Sequence, residues 1–210
     1  MPKPPALSPP QPDFARLPDD LPRPVDDGAA SHLLASAIPS VALDSTMGGA
    51  VDLSRVPGRA VVFAYPKTGR PGQQPPLPDW DMLPGARGCT PHTCGFRDLH
   101  GEFTALGIRV YGLSTQTTDY QQEMVKRLHV PFPVLSDSEL RLTRAMRLPT
   151  FKAGRQTLLK RLAWVSDDGK IVKLFYPVFP PDKNAEEVLE WLRANQPKIR
   201  KPRTASKERK

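Results

Sequence analysis

The pattern of apolar and polar residues along the chain predicts where strands and helices form. Residues 59–65 make a continuous apolar run, which is typical of a strand buried on both faces of a sheet. A helical pattern begins after Cys89. Thr90 suits the N-cap and Pro91 the first helical position, and apolar residues then follow at spacings of three and four as far as Gly107, which ends the helix.

The other segments are assigned from the same periodicities and from turn residues. Helices are predicted at 29–37, 118–128, 139–146 and 183–194, and strands at 38–43, 108–113, 132–135, 158–165 and 171–176. The last two strands flank Asp167-Asp168-Gly169-Lys170, a strong hairpin turn. The order is therefore β-α-β-α-β, then a hairpin, then a final helix. It predicts an α/β protein with a central mixed β-sheet flanked by helices, the thioredoxin-like fold.

Proline is unevenly distributed and marks the segments outside this pattern. Nine of the 26 prolines precede Val25, and five more lie between Gly69 and Gly85. Because proline is excluded from helix interiors and central strands, both stretches are predicted to be loop or arm. We expect a proline-rich flexible arm at 1–27, one domain at 28–196 with a loop insertion at about 68–85, and a disordered tail at 197–210.

The tail carries most of the net charge. It contains seven basic residues and one acid, so +6 of the net charge of +8 lies there. A short tail of this composition is typically solvated, and we expect no specific nucleic-acid partner. No apolar run is long enough to span a membrane, and no secretory signal is visible, so we expect a cytoplasmic protein without a membrane partner. In that compartment, two close cysteines indicate redox activity or metal binding rather than a permanent disulfide.

Cys89 lies where a buried strand is followed, through a loop, by the start of a helix. The free backbone N–H groups and the helix dipole favour a thiolate at this position, and Arg87 and Arg97 are close in sequence. A thiolate can attack an O–O bond and become a sulfenic acid. Cys94 follows five residues later. If both residues are helical, they are rotated by about 140° and separated by about 7.5 Å along the axis, so a bridge between them requires the first turn to unwind.

Two other interpretations of these cysteines stay open at this point. They could be inert core residues, as most cysteines in a cytosolic domain are. They could also bind zinc, since Cys89, His92, Cys94 and His100 are four potential ligands within twelve residues. Against zinc, His92 and Cys94 point to opposite sides of a regular helix, and the chain has no Cys-x-x-Cys pair.

Several ordered motifs resemble the peroxiredoxin Q subfamily, also called bacterioferritin comigratory proteins. The strand ending Tyr65-Pro66-Lys67 and the segments Gly88-Cys89-Thr90 and Cys94-Gly95-Phe96-Arg97-Asp98 resemble that family's active-site region. Three further blocks, at 110–114, 131–137 and 160–165, resemble later parts of the family pattern, so that the likeness covers about 38–196. The resemblance implies that Cys89 is the peroxidatic cysteine, that Cys94 resolves it as a Cys89–Cys94 disulfide, and that Arg161 stabilises the thiolate and the peroxide.

The chain departs from the family pattern just before Cys89. The pattern has a threonine three residues before the cysteine, and this chain has Ala86. From Pro66 to Cys89 the chain runs 23 residues where the pattern spans seven, an insertion of about sixteen. Thr68 is the nearest hydroxyl after Pro66 and is our candidate replacement.

The resemblance implies a peroxidase that reduces hydrogen peroxide and organic hydroperoxides, and whose disulfide is reduced by thioredoxin or a similar dithiol. It implies no cofactor and no metal, and we expect a monomer or weak dimer. Two alternatives remain. One is a binding or chaperone-like protein whose pocket the insertion has impaired. The other is a dithiol–disulfide exchanger, against which the absence of Cys-x-x-Cys argues.

Overall fold

A computed structural model describes residues 16–196. Nine strands and five α-helices lie within this range. The strands are β1 (Ala42–Ser45), β2 (Ala50–Asp52), β3 (Arg59–Ala64), β4 (Arg109–Ser114), β5 (Val134–Ser136), β6 (Thr150–Ala153), β7 (Gln156–Leu159), β8 (Leu162–Asp167) and β9 (Lys170–Phe175). The helices are α1 (Cys89–Asp98), α2 (His100–Ala105), α3 (Thr118–Leu128), α4 (Arg141–Met146) and α5 (Asn184–Ala194). The predicted tail at 197–210 and the first part of the predicted arm lie outside the described residues.

Seven of the strands form one sheet, in the order β2-β1-β5-β4-β3-β8-β9. The pairs β3–β4 and β4–β5 are parallel, and the other neighbours are antiparallel. The predicted central mixed sheet is therefore confirmed. The crossover from β3 to parallel β4 contains the insertion, α1 and α2, so the start of α1 lies beside the end of an interior strand.

The side chains of β3 alternate between two cores. Val61 and Phe63 pack in a core to which α1, α2, α3 and α5 contribute, and Val62 and Ala64 pack in a second core with α4. This strand is buried on both faces, as its apolar run predicts, and helices cover both sides of the sheet. The predicted thioredoxin-like arrangement is confirmed.

Two predicted elements are divided in the structure. The helix expected from 90 to 106 breaks at Leu99 into α1 and α2, and glycines at 95 and 101 flank the break, where their low helix propensity weakens the helix. Phe96 and Phe103 still share one core, which explains why the periodicity predicted a single helix. The strand expected at 158–165 breaks between β7 and β8, so that Arg161 lies in the connection and not within a strand.

Other predicted boundaries shift. The helix predicted at 29–37 is only a 3-10 turn at Ser31–Leu33, and the strand predicted at 38–43 lies at Ala42–Ser45. Strands β6 and β7 form an unpredicted hairpin outside the main sheet. Within residues 16–196, no helix combines the length and apolar character needed to cross a bilayer.

Candidate active site

Cys89 is the first residue of α1, at the point where the chain returns from the insertion. The predicted N-cap, Thr90, is therefore wrong by two positions, since Gly88 is the N-cap. Gly88 has a φ of 98°, and a Cβ atom there would lie 2.5 Å from Pro181 Cγ and 2.8 Å from Leu17 Cδ2. Only glycine satisfies both constraints. The Cys89 side chain is 3% exposed and lies at the positive end of the helix dipole.

Arg161 meets Cys89 across the site. Its Nη2 donates to Cys89 Sγ at 3.2 Å, and the same nitrogen also lies within 3.0 to 3.3 Å of the carbonyl oxygens of Gly85, Ala86 and Arg87. The guanidinium is buried, and it holds both the sulfur and the backbone of the preceding loop. A permanently charged donor at this distance stabilises negative charge on the sulfur. The structure thus brings together the two residues that the resemblance selected.

His92 and Asn184 continue this network, and sequence reasoning missed the roles of both. Arg161 Nη1 lies 3.0 Å from His92 Nδ1, and His92 Nε2 lies 2.9 Å from Asn184 Oδ1. Because a guanidinium only donates, Nδ1 accepts and Nε2–H donates to Asn184. Burial, followed by the charge of Arg161, holds the pKa of His92 well below its usual value, so the ring is neutral.

A signal for His92 was present in the sequence. It follows Cys89 by three residues, which places both side chains on one face of a helix. Sequence reasoning used His92 only as a potential zinc ligand. Within residues 16–196, no three His, Cys, Asp or Glu side chains are grouped so that they could hold a metal ion.

Thr68 lies in the wall of the cavity that contains Cys89. Its side chain is buried, and its hydroxyl donates to Gln116 Oε1 at 3.1 Å. Gln116 also accepts from the Thr68 backbone N–H at 3.0 Å, which ties the start of the insertion to the end of β4. The candidate hydroxyl therefore lines the same cavity as the sulfur, but its proton is directed toward Gln116. The Cys89 thiol itself lies 3.6 Å from the carbonyl oxygen of Ala86.

Cys94 lies in the second turn of α1 and is half-buried. Burial raises the pKa of its thiol, which the nearby Arg97 partly offsets. Both cysteines are free thiols in one continuous helix. Residues five apart on a helix cannot form a disulfide while the helix stays wound. The helix must therefore unwind before Cys89 and Cys94 can form one, as expected from their spacing.

Known proteins share this fold and sequence pattern. The chain matches the Redoxin family over residues 34–189. It is 31% identical over 161 residues to the chloroplastic peroxiredoxin Q of Oryza sativa subsp. japonica, a match that covers 76% of this chain and 66% of the rice protein. The chloroplastic peroxiredoxin Q of Sedum lineare is 29% identical, and the match covers 76% of this chain and 77% of that protein.

Solved structures agree on the fold. The crystal structure of peroxidoxin BcpB from Mycobacterium tuberculosis superposes with a TM-score of 0.62 at 24% identity, covering 78% of this chain and 98% of that one. Xanthomonas campestris peroxiredoxin Q gives a TM-score of 0.58 at 21% identity, covering 74% and 90% respectively. The chain is therefore similar to proteins of the peroxiredoxin Q group, and it belongs to the Redoxin family.

Proposed function

We propose that this protein is a thiol peroxidase in which Cys89 reduces a hydroperoxide and Cys94 resolves the product. The observation that carries the proposal is the contact of 3.2 Å between Arg161 Nη2 and Cys89 Sγ at the start of α1. A buried sulfur at a helix N-terminus, beside a fixed charge and a cavity, has what a reactive thiolate needs. The names of the rice and Sedum relatives support the same assignment.

In the first step, the Cys89 thiolate attacks one oxygen of the hydroperoxide. An S–O bond forms as the O–O bond breaks, and sulfur is oxidised to a sulfenic acid. The other oxygen leaves as an alkoxide or hydroxide and takes up the proton lost by the thiol, which gives an alcohol or water. Arg161 stabilises charge on both the attacking sulfur and the leaving oxygen, because its donors are already in place.

In the second step, the Cys94 thiol attacks the Cys89 sulfur, an S–S bond forms, and water leaves. The first turns of α1 must unwind for this reaction. Unwinding also removes the burial that raises the pKa of Cys94, so that its thiolate becomes easier to form at the moment it is needed. A dithiol donor such as thioredoxin then exchanges with the disulfide and restores both thiols.

The test is intact mass spectrometry after one equivalent of hydrogen peroxide. The wild-type protein should lose two hydrogen atoms, that is two protons and two electrons, as the disulfide forms. Cys94→Ser should stop at a sulfenic acid on Cys89, which dimedone traps, and Cys89→Ser should not react. Unmodified wild-type protein would refute the proposal. Consumption of NADPH in the presence of thioredoxin and its reductase then tests the electron donor.

The remaining expectations have tests of their own. An impaired pocket in a binding or chaperone-like protein predicts no oxidation of Cys89, and a dithiol–disulfide exchanger predicts turnover of protein disulfides without peroxide. A monomeric or weakly dimeric state and a cytoplasmic location stay predictions, which light scattering and fractionation of cells can check.

A further inference from the structure

The insertion forms a roof over Cys89. Its residues Gln74, Pro75 and Trp80 line the cavity together with Thr68, Tyr120 and Cys89, which lie outside residues 70–85. The cavity therefore lies between the insertion and the body of the domain. We call residues 70–85 the roof.

The roof is attached at both ends. Just before its start, Thr68 is held by Gln116 through both its backbone N–H and its hydroxyl. Toward its end, Trp80 is 3% exposed and packs with Ala86 and Leu158 in a small apolar cluster that joins the roof to the β6–β7 hairpin. The Trp80 and Phe151 ring centroids are 6.3 Å apart. Buried aromatic packing of this kind gives the roof a defined position.

The space beneath the roof is small. The cavity volume is about 90 Å³, whereas sites for drug-sized molecules occupy roughly 300–1,000 Å³. A few water-sized molecules fit in this volume, but a large hydrocarbon group does not.

Polar and apolar side chains both line the cavity, and its charged side chains are basic. Lys67, Arg87 and the side-chain amide of Gln73 contribute to it, and none of the lining residues within 16–196 is acidic. The ammonium group of Lys67 also lies 5.5 Å from the ring centroid of Tyr120, which lines the same cavity. An apolar substituent placed against the polar part of this wall would displace solvent without replacing its hydrogen bonds, which is unfavourable.

We propose that the roof makes this chain selective for hydrogen peroxide and other small, polar hydroperoxides over hydroperoxides that carry a bulky apolar group. This inference rests on the proposed peroxidase function. It assigns specificity to a segment that lies outside the family motifs.

The test compares rates of Cys89 oxidation by hydrogen peroxide and by cumene hydroperoxide, using rapid mixing in the full-length Cys94→Ser background. Each rate is divided by the rate for free cysteine, which removes the intrinsic reactivity of the peroxide. We expect a normalised preference for hydrogen peroxide of about 100-fold in the protein that keeps the native roof.

Two variants open the roof in different ways. Trp80→Ala removes its apolar anchor, and Pro75→Gly with Pro76→Gly loosens the cavity edge without altering the buried cluster. Both should reduce the preference at least about tenfold, through faster reaction with cumene hydroperoxide. Met82→Ala is the matched control, because Met82 lies in the same segment but is 69% exposed and does not line the cavity. Its preference should equal that of the native roof.

Equal normalised rates for the two peroxides with the native roof would overturn the inference, as would an unchanged preference in both roof variants. Reaction with neither peroxide has a different meaning, since it would refute the peroxidase function itself and the inference with it.

Discussion

Replacing His92 with phenylalanine isolates the polar role of this side chain. Phenylalanine keeps an aromatic ring against Phe63 and Phe96, whose centroids lie 5.0 and 5.5 Å from that of His92. It removes the acceptor for Arg161 and the donor to Asn184. A hydrogen bond to a charged group contributes about 1.5–3 kcal/mol and a neutral one about 1 kcal/mol, so we expect a loss of about 2–4 kcal/mol in the free energy of unfolding.

The loss should depend on pH in a defined direction. Folded His92 stays neutral because its pKa is held well below the usual 6.5, whereas the unfolded chain binds a proton below that value. The unfolded state therefore binds more protons as pH falls, and wild-type stability declines. One such group contributes a decline of about 1.4 kcal/mol per pH unit below pH 6.5. His92→Phe lacks this contribution, so the stability gap between the two proteins should be widest above about pH 6.5 and narrow in acid.

In the proposed mechanism His92 acts as a positioning residue, and its effect on the oxidation of Cys89 should pass through Arg161. We expect Cys89 oxidation in His92→Phe to slow by about tenfold, which corresponds to about 1.4 kcal/mol of transition-state stabilisation. His92→Gln retains an acceptor and a donor, and it should recover part of both stability and rate. Urea unfolding at several pH values and single-turnover oxidation measure these effects. His100→Phe is the control, because its ring contacts Phe132 outside the network. Equal behaviour of His92→Phe and His100→Phe would refute this reasoning.

Four further predictions concern the same region. Arg161→Lys should slow Cys89 oxidation at least about tenfold although the charge is kept. An ammonium group cannot contact the sulfur, His92 and three carbonyl oxygens together. Oxidation at the wild-type rate would show that Arg161 does not take part in the reaction. Gly88→Ala should lower the free energy of unfolding by about 2 kcal/mol or more, because the new Cβ would clash with Pro181. Gly101→Ala is the control and should be neutral or stabilising, because the space around Gly101 is open. Equal melting temperatures of the two variants would contradict this prediction. Disulfide formation should speed hydrogen exchange at 93–99 but not in β3, and equal protection of α1 in both redox states would rule out the unwinding step. Deleting 197–210 should leave the oxidation rate of Cys89 unchanged, and a slower rate would connect the tail to the site.

The sequence predicted those helices, strands and turns that are stabilised by apolar burial or by the conformational preferences of neighbouring residues. The bounds of α3 agree with its amphipathic pattern, and β3 agrees with its apolar run. The Asp168-Gly169 turn has positive φ at both residues, as its composition requires. The hairpin β6–β7 was missed although Gly154, with a φ of 58°, marks its turn.

The site was only partly predictable, because its contacts are distant in sequence. Arg161 is 72 residues from Cys89 in the chain, and Asn184 is 92 residues from His92. The spacing of apolar and polar residues along the chain does not predict contacts between residues so far apart in sequence. The resemblance selected Cys89, Cys94 and Arg161. The spacing of His92 from Cys89 placed both side chains on one helix face, but the contacts of His92 with Arg161 and Asn184 became visible only in the fold. In a buried network of this kind, each hydrogen-bond donor must find an acceptor in the folded protein. The spacing of residues in the sequence does not show which donor meets which acceptor.

The insertion and the missing hydroxyl before Cys89 are parts of one packing arrangement. The Ala86 side chain is fully buried and packs with Trp80 of the roof and with Leu158 of the β6–β7 hairpin. A threonine there would bring a hydroxyl into an apolar cluster, where an unpaired polar group costs about 1–3 kcal/mol. The Ala86 carbonyl still lies 3.6 Å from the Cys89 sulfur and 3.3 Å from Arg161 Nη2. Replacing the side chain therefore leaves the backbone contacts of this position intact, and in the proposed mechanism Arg161 and the start of α1 stabilise the reacting sulfur.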